Sequence, residues 1–194
     1  MSGIEILTPA IDRSRLVPPA IPATAISRKH LFHLFETDLP GVTVVAAPAG
    51  FGKSSLVSQW AQSVDRPTIW LTVNPQDSMQ SFFAHVLESI RIVFPGFASE
   101  FAKEPSPNAL HNIKKLTTAV GAIKSGFNFV LNNGALDNPQ VTDFSQELID
   151  HLPDNVHLVI IRRFTPDTSL ARYASLGNLS LITSQDLKFS PEEV

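Results

Sequence analysis

The sequence predicts an α/β fold, a three-layer αβα sandwich built on a mainly parallel five-stranded sheet. Short apolar runs rich in β-branched residues alternate along the chain with segments whose apolar residues recur at helical spacing. This alternation is typical of a parallel sheet covered by helices. Hydrophobic residues make up 43% of the 194 positions, which is enough for a substantial core. At about 150 residues per domain, the length predicts one domain with at most a small appendage.

The N-terminal region is predicted to be an extended arm over residues 1–26. Proline fixes φ and removes a backbone donor that a helix or a central strand would need. Four prolines lie in this region: Pro9, Pro18, Pro19 and Pro22. A helix over 27–38 should follow, because Ser27 can cap its start and Pro40-Gly41 can end it. Its apolar positions recur at helical spacing: Leu31, Phe32, Leu34 and Phe35.

From residue 42 the predicted elements alternate. The first strand, 42–46, reads Val-Thr-Val-Val-Ala between two proline–glycine segments, which suits a strand buried on both faces. Similar apolar runs predict further strands at 68–73, 127–131, 157–161 and 179–182. Apolar residues that share one helical face predict helices at 53–63, 78–93, 109–124 and 143–151, with a loop over 94–109.

Charge and composition exclude several classes of function. The net charge is -3 and the pI is near 6.0, so the chain lacks the basic excess that binding to a nucleic-acid backbone requires. There is no cysteine for a disulfide, a thiolate metal site or a nucleophile. We expect no membrane contact and a cytoplasmic location, because no leader or long apolar span is visible. Charged residues are only 17%, against about 25% in typical domains, which predicts surface that meets another domain.

Residues 47–54, Ala-Pro-Ala-Gly-Phe-Gly-Lys-Ser, match the Walker A pattern G-x-x-x-x-G-K-[ST] with alanine at the first glycine. A phosphate loop needs inward-pointing backbone N–H groups, a lysine for the β/γ oxygens and a hydroxyl for Mg²⁺. The segment lies between a predicted buried strand and a predicted helix, as such a loop must. We therefore expect a P-loop NTPase fold that binds a nucleotide through eight residues: Pro48, Ala49, Gly50, Phe51, Gly52, Lys53, Ser54 and Ser55.

The acidic residues that normally accompany a phosphate loop are replaced in this chain. Carboxylates normally follow a neighbouring strand and order the metal's waters, whereas the third predicted strand leads into Asn132-Asn133-Gly134. An amide can hydrogen-bond a metal-bound water, but it has no charge and is a poor general base. Asn133-Gly134 is also an ordinary turn dipeptide. Asp137 is an alternative acid, although aspartate before Asn-Pro is also typical of turns.

The chain resembles the nucleotide-binding domain of MalT-like transcriptional regulators with LuxR-type DNA-binding ends, a branch of the STAND signal-transduction ATPases. The resemblance covers nearly the whole chain, through the arm with Ile26-Ser27-Arg28, the stretch 46–61, Trp70-Leu71, the stretch 158–163 and the stretch 186–194. It implies that Lys53 and Ser54 contact the phosphates and Mg²⁺, that Ile26 and Arg28 lie near the adenine, and that Arg163 is a sensor arginine.

Two departures accompany this resemblance. The family typically has two aspartates where this chain has Asn132 and Asn133, which predicts impaired hydrolysis. Regulators of this kind also continue into further domains, so residues 27–185 are expected to form the nucleotide-binding domain and 186–194 the start of a missing helical or winged-helix segment. Those domains or a partner protein are then the expected partners, and self-association stays open.

Three hypotheses follow. The leading one is an ATP- or ADP-binding switch domain of a signal-transducing transcription regulator, with Mg²⁺ weakly held at Ser54 and little or no hydrolysis. The second is a competent ATPase or small-molecule phosphotransferase that uses Asp137 or another carboxylate. The third is a degenerate P-loop scaffold that serves only protein interaction.

Overall fold

A computed structural model describes residues 10–97, 109–132, 146, 148–163 and 171–190 of the chain. Five strands form one sheet, in the spatial order β2-β3-β4-β1-β5. All four strand pairs are parallel, which confirms the predicted fold class. The strands are β1 (Gly41–Ala46), β2 (Thr68–Thr72), β3 (Phe127–Asn132), β4 (Val156–Arg162) and β5 (Leu179–Thr183).

Helices cover both faces of the sheet. The longer ones are α1 (Lys53–Ala61), α2 (Met79–Val93) and α3 (Ala109–Gly121). A five-residue helix spans Ala171–Ser175. Within the predicted helix 143–151, residues 146 and 148–150 are helical and His151 is in a turn. The other residues of that span lie outside the described residues. Within the described part of the chain, no helix combines the length and apolar character needed to cross a membrane.

The predicted helix over 27–38 is wrong in type and extent. The structure has a 3₁₀ helix over Lys29–Phe35, and its N-cap is Arg28, without a side-chain cap. Apolar residues three apart, such as Leu31 and Leu34, suit a 3₁₀ helix as well as an α-helix. The segment is held in place by packing and not by a helix cap, because the Phe35 ring stacks on the Trp60 ring with centroids 4.6 Å apart. The arm is also not extended throughout, since Arg13–Leu16 form a 3₁₀ turn capped by Asp12.

The two faces of the sheet carry two separate apolar cores. Alternate strand residues such as Val42, Ile69 and Leu158 pack with α2 and α3 on one face. The intervening residues, such as Val45 and Val159, pack with Leu31, Leu56 and Trp60 on the other face. A two-sided core is what the near-continuous apolar strands require.

On the α1 face, the row nearest the amino ends of the strands is polar. Asn128 and His157 form this row across β3 and β4, and Thr43 lies one layer further along, on β1. All three are at most 1% exposed. The His157 Nε2 and Thr43 Oγ1 atoms lie 2.8 Å apart within hydrogen-bonding distance, and Asn128 Nδ2 donates to Thr68 Oγ1 at 3.0 Å. The sheet therefore buries a polar row beside an apolar core, and these hydrogen bonds offset part of its desolvation cost.

The arm covers the free edge of the sheet at β2. Val73 N–H donates to Asn132 O of β3, so the Thr72 carbonyl of the same peptide group points the other way, to the outer edge. Arg15 Nε donates to that carbonyl at 2.9 Å, and both Nη atoms donate to the Asp77 carboxylate. Burial alone would raise the pKa of Asp77, but hydrogen bonds from Arg15 and from the Asn74 backbone hold this pKa below its ordinary value. The arm thus protects a strand edge that would otherwise be open to pairing.

Replacing Arg15 by methionine should destabilise the chain far more than the same change at Arg13. The Arg15 and Asp77 side chains are 13% and 5% exposed, so loss of Arg15 leaves a buried carboxylate without its positively charged partner and should cost about 3 kcal/mol of unfolding free energy. Arg13 pairs with Glu88, but its own side chain is 79% exposed, and Arg13→Met should cost less than about 0.5 kcal/mol. Urea unfolding of both variants gives the comparison. Equal losses of unfolding free energy in the two variants would contradict this role of the Arg15–Asp77 pair.

Protonation of the buried His157 should make stability depend on pH. Burial, followed by the nearby Arg66, lowers the pKa of His157 from 6.5 to about 4. Between those values the unfolded chain binds a proton that the folded chain does not, so the unfolding free energy should fall as pH drops, by about 1.4 kcal/mol per pH unit from this group.

The matching measurement is urea unfolding at several pH values for the native chain, His157→Gln and His33→Gln. The His157 variant should lose most of the decline between about pH 6.5 and about pH 4. His33 is exposed, and its replacement should leave the decline in place. A His157 variant with the native pH profile would contradict this account.

Candidate functional site

The loop that follows β1 has the backbone of an anion cradle. Gly50 and Gly52 have φ values of +86° and +72°, a left-handed conformation that other residues adopt only with strain. An added Cβ at either glycine would meet no atom within 4 Å, so backbone conformation and not crowding makes glycine necessary here. Gly52 is the N-cap of α1, and the first N–H groups of that helix lack helical partners and can bind an anion.

Lys53 begins α1 and turns back over this loop. Its Nζ donates to the Pro48 carbonyl at 2.7 Å. Burial, and then the positive charge of Arg163, lower the pKa of Lys53 below its ordinary value. Arg163 follows β4 directly, so the sheet topology brings this predicted sensor arginine close enough to Lys53 to repel it. Two cations and a helix N-terminus therefore lie in the same region, an arrangement that favours a bound anion.

The other predicted loop residues occupy less buried positions. Pro48, Ala49, Gly50, Gly52 and Ser55 are exposed. Phe51 is partly buried and packs against the core on the α1 face. This contact anchors the middle of the loop while the groups around it stay open to solvent. The loop is thus held at its centre and accessible at its rim.

Ser54 and Asn132 come together although they are far apart in the sequence. Ser54 Oγ donates to Asn132 Oδ1 at 3.4 Å, and Asn132 Nδ2 donates to Thr72 Oγ1, also at 3.4 Å. Both hydrogen bonds are long and therefore weak. The hydroxyl predicted to hold Mg²⁺ thus meets a neutral amide in this structure. Asn133 and the alternative acid Asp137 lie outside the described residues.

Residues 26–28 are fixed to α1 by one side chain. Gln59 Nε2 donates to the Ile26 carbonyl, and Gln59 Oε1 accepts from Arg28 N, both at 3.0 Å. Ile26 is 42% exposed, which leaves it available to a ligand. The segment predicted to lie near the adenine therefore crosses the helix that begins at Lys53.

The Arg28 side chain makes its contacts within the chain. It is buried, and its Nη1 and Nη2 atoms donate to the carbonyls of Leu187 and Lys188 at 2.9 and 3.1 Å. Its guanidinium also lies 4.8 Å from the centre of the Phe189 ring, a cation–π distance. Arg28 thus joins the N-terminal arm to the segment after β5.

Sequence reasoning missed two residues that organise this site, Thr72 and Gln59. Thr72 links Asn132 to β2, and Gln59 holds the arm. The only sequence signal for Thr72 was a hydroxyl at a predicted strand end, and it gains meaning only from the adjacency of β2 and β3. Gln59 has no local signal, because its partners lie about thirty residues away in an irregular arm.

Comparison with known proteins agrees with this architecture. No protein-family model matches the chain. Among solved structures, the chain is similar to the Signal Transduction ATPase with Numerous Domains (STAND) protein with a tetratricopeptide repeat sensor, PH0952 from Pyrococcus horikoshii. The TM-score is 0.59 at 15% identity, over 91% of this chain and 25% of that chain. The chain therefore spans a quarter of that protein's length.

A second similar structure is Drosophila ORC bound to AT-rich DNA and Cdc6. Here the TM-score is 0.48 at 14% identity, over 80% of this chain and 51% of that chain. The identity to the STAND protein is low, so that likeness concerns the fold. The chain has the α/β fold of a P-loop NTPase domain, as the sequence predicted.

Proposed function

We propose that this chain binds ATP or ADP at residues 47–55 and acts as a nucleotide-dependent switch domain with little or no hydrolysis. One observation carries the proposal: the left-handed glycines Gly50 and Gly52 open the N-terminus of α1, where Lys53 and Ser54 stand. This is a backbone cradle, a cation and a hydroxyl in one place, which are the parts a nucleotide phosphate group needs.

Binding would exchange one set of contacts for another. Lys53 would leave the Pro48 carbonyl and pair with phosphate oxygens, which gives a partly buried ammonium group a partner of opposite charge. Arg163, already near Lys53, would add a second cation. The repulsion between Lys53 and Arg163 in the structure would thereby become attraction to a common anion.

The residues at the third strand favour retention of nucleotide over its cleavage. Ser54 Oγ and Asn132 Oδ1 are the groups that would hold Mg²⁺, directly or through its waters. When bound, Mg²⁺ neutralises phosphate charge and orients the reacting oxygens. Asn132 offers dipoles and no negative charge, so we expect weak affinity for the metal and no general base from this position.

The regulatory part of the proposal rests on the resemblance to MalT-like regulators with LuxR-type DNA-binding ends. It is supported by the fold shared with a STAND ATPase and by the contacts of Arg28. That residue ties the segment after β5 to the arm, and Gln59 of α1 holds the same arm. A chain of contacts therefore links the helix that begins at Lys53 to residues 187–189. A nucleotide could then bias how this domain packs on a neighbouring domain or partner protein.

Loss of Lys53 should abolish nucleotide binding while a matched surface lysine should not matter. Saturating ATP or ADP at about 100 times its Kd should add about 2.7 kcal/mol to the unfolding free energy of the native chain. Lys53→Ala should remove most of this gain, because the cation at the loop is lost. Lys115→Ala is the control, since Lys115 is exposed on α3. Thermal unfolding with and without nucleotide measures both effects.

Absence of stabilisation by either nucleotide, with or without Mg²⁺, would overturn the proposal and favour a scaffold that only binds proteins. Equal stabilisation of the native chain and the Lys53 variant would place nucleotide binding elsewhere. Trp70 fluorescence gives a second measurement of nucleotide binding. The Trp70 Nε1 atom donates to Thr72 Oγ1, which also accepts from Asn132, so a change at Asn132 should alter the surroundings of this indole.

Restoring the acids should make nucleotide binding depend more strongly on Mg²⁺. In the double variant Asn132→Asp and Asn133→Asp, carboxylate charge would favour the metal, and hydrolysis should rise at least about tenfold. The phosphate released per turnover, and the nucleotide affinity with and without Mg²⁺, measure the change. High native turnover that Lys53→Ala abolishes would instead favour a competent ATPase using another carboxylate.

A further inference from the structure

A second concave site lies at the opposite end of the sheet from the phosphate loop. This cavity has a volume of about 730 Å³, within the range of about 300–1,000 Å³ found for small-molecule sites. It is open to solvent on one side and is bordered by the end of the 3₁₀ helix, the last turn of α1 and the amino ends of β3 and β4. None of its lining residues belongs to the loop at 47–55, so the nucleotide proposal does not account for it.

The floor of this cavity is formed by Asn128 and His157, two members of the polar row. Each is only 1% exposed and lines the cavity. Each uses one polar atom within the sheet, Asn128 Nδ2 toward Thr68 and His157 Nε2 toward Thr43. Among the described residues, Asn128 Oδ1 and His157 Nδ1 have no hydrogen-bond partner. Buried polar atoms are usually paired, so the floor offers two unused positions to a bound molecule.

The free polar atoms of this floor are acceptors, so they favour a ligand that donates hydrogen bonds. Asn128 Oδ1 can only accept. Burial keeps His157 neutral near pH 7, since its pKa is lowered to about 4. If its Nε2–H donates to Thr43, its Nδ1 accepts as well. A ligand N–H group could therefore satisfy both atoms and fix that ring tautomer.

The rim carries the charge. Glu36, Asp38 and Asp65 line the cavity and are exposed. Arg66 also lines it, is partly buried and is close enough to His157 to lower its pKa, so the three carboxylates outnumber the one permanent positive charge. The excess of carboxylates favours a cation over an anion. A ligand with two separated positive groups could place one at the rim and donate from the other to the floor. The stacked pair Phe35 and Trp60 adds apolar surface to the lining.

We propose that this cavity binds a small aliphatic polyamine, with one ammonium group on Asn128 and His157 and another among the rim carboxylates. Such a molecule matches the acceptors at the floor, the negative rim and the apolar surface together. The site goes beyond the proposed nucleotide function and is independent of it, because the two sites lie at opposite ends of the strands.

Trp60 provides a local reporter of occupancy. It lines the cavity and lies edge-on to His157, with ring centroids 5.6 Å apart. The chain has two tryptophans, so Trp70→Phe leaves Trp60 as the only one. Three four-carbon probes then separate charge from size: putrescine, 1,4-butanediol and succinate. We expect a saturable change in Trp60 fluorescence with putrescine at concentrations up to about 10 mM, and no saturable change with the diol or the dianion.

Two substitutions in the Trp70→Phe background locate the binding. Asp65→Asn removes one rim charge at an exposed position and should weaken putrescine binding about fivefold. Asn128→Leu removes the floor acceptor and should weaken it further. Glu88→Gln is the charge-matched control, because Glu88 lies on α2, on the other face of the sheet, and it should leave the affinity unchanged. Lys53→Ala should also leave it unchanged, which separates this site from the phosphate loop.

Several results would overturn the proposal. These are the absence of saturation with putrescine, an equal response to 1,4-butanediol, and equal weakening by Asp65→Asn and Glu88→Gln. Because Asp65 is exposed, its variant should fold even if Asn128→Leu does not, and the charge test would then decide alone. Nucleotide binding by the same variants is measured in parallel, so failure of one site is distinguishable from failure of the other.

Discussion

The burial of β1 on both faces and both edges is the constraint on which the rest of the structure depends. β1 pairs with β4 on one side and with β5 on the other, and Val42, Val44 and Val45 have no exposed surface. The backbone hydrogen bond from Ala47 N to Arg162 O continues this pairing one residue beyond the strand. The loop at 47–52 therefore leaves from a fixed point, and its left-handed glycines are held between a rigid strand and a rigid helix.

Thr72, the last residue of β2, makes two different contacts. The Thr72 hydroxyl turns inward and contacts Asn132, while the Thr72 carbonyl points outward and is bound by Arg15. The same residue thus belongs both to the candidate site and to the edge that the arm covers. Asp77, a carboxylate near this end of β2, is paired with Arg15. The arm consequently contacts, through Thr72, a residue of the candidate site.

Polar and apolar side chains alternate in layers along one face of β3 and β4. Asn128 and His157 lie toward the amino ends, Val130 and Val159 follow, and Asn132 with Ile161 lies toward the carboxyl ends. Successive side chains on one face of a strand are two residues apart. An apolar layer therefore separates the polar row that lines the cavity from the amide at the phosphate loop. Ligands at the two ends would be insulated from each other by the core on the α1 face.

The sequence by itself determined the fold class, the strand positions and the loop backbone. These depend on local properties: apolar runs of strand length, and glycines where only glycine is unstrained. Only the tertiary structure decided which distant residues meet, because the strand order β2-β3-β4-β1-β5 places Asn132 beside Thr72 and Ser54, and Arg163 near Lys53. It also decided that residues 29–35 form a 3₁₀ helix, and that His157 and Asn128 are buried together. Such outcomes depend on packing across the sheet, which no local pattern encodes.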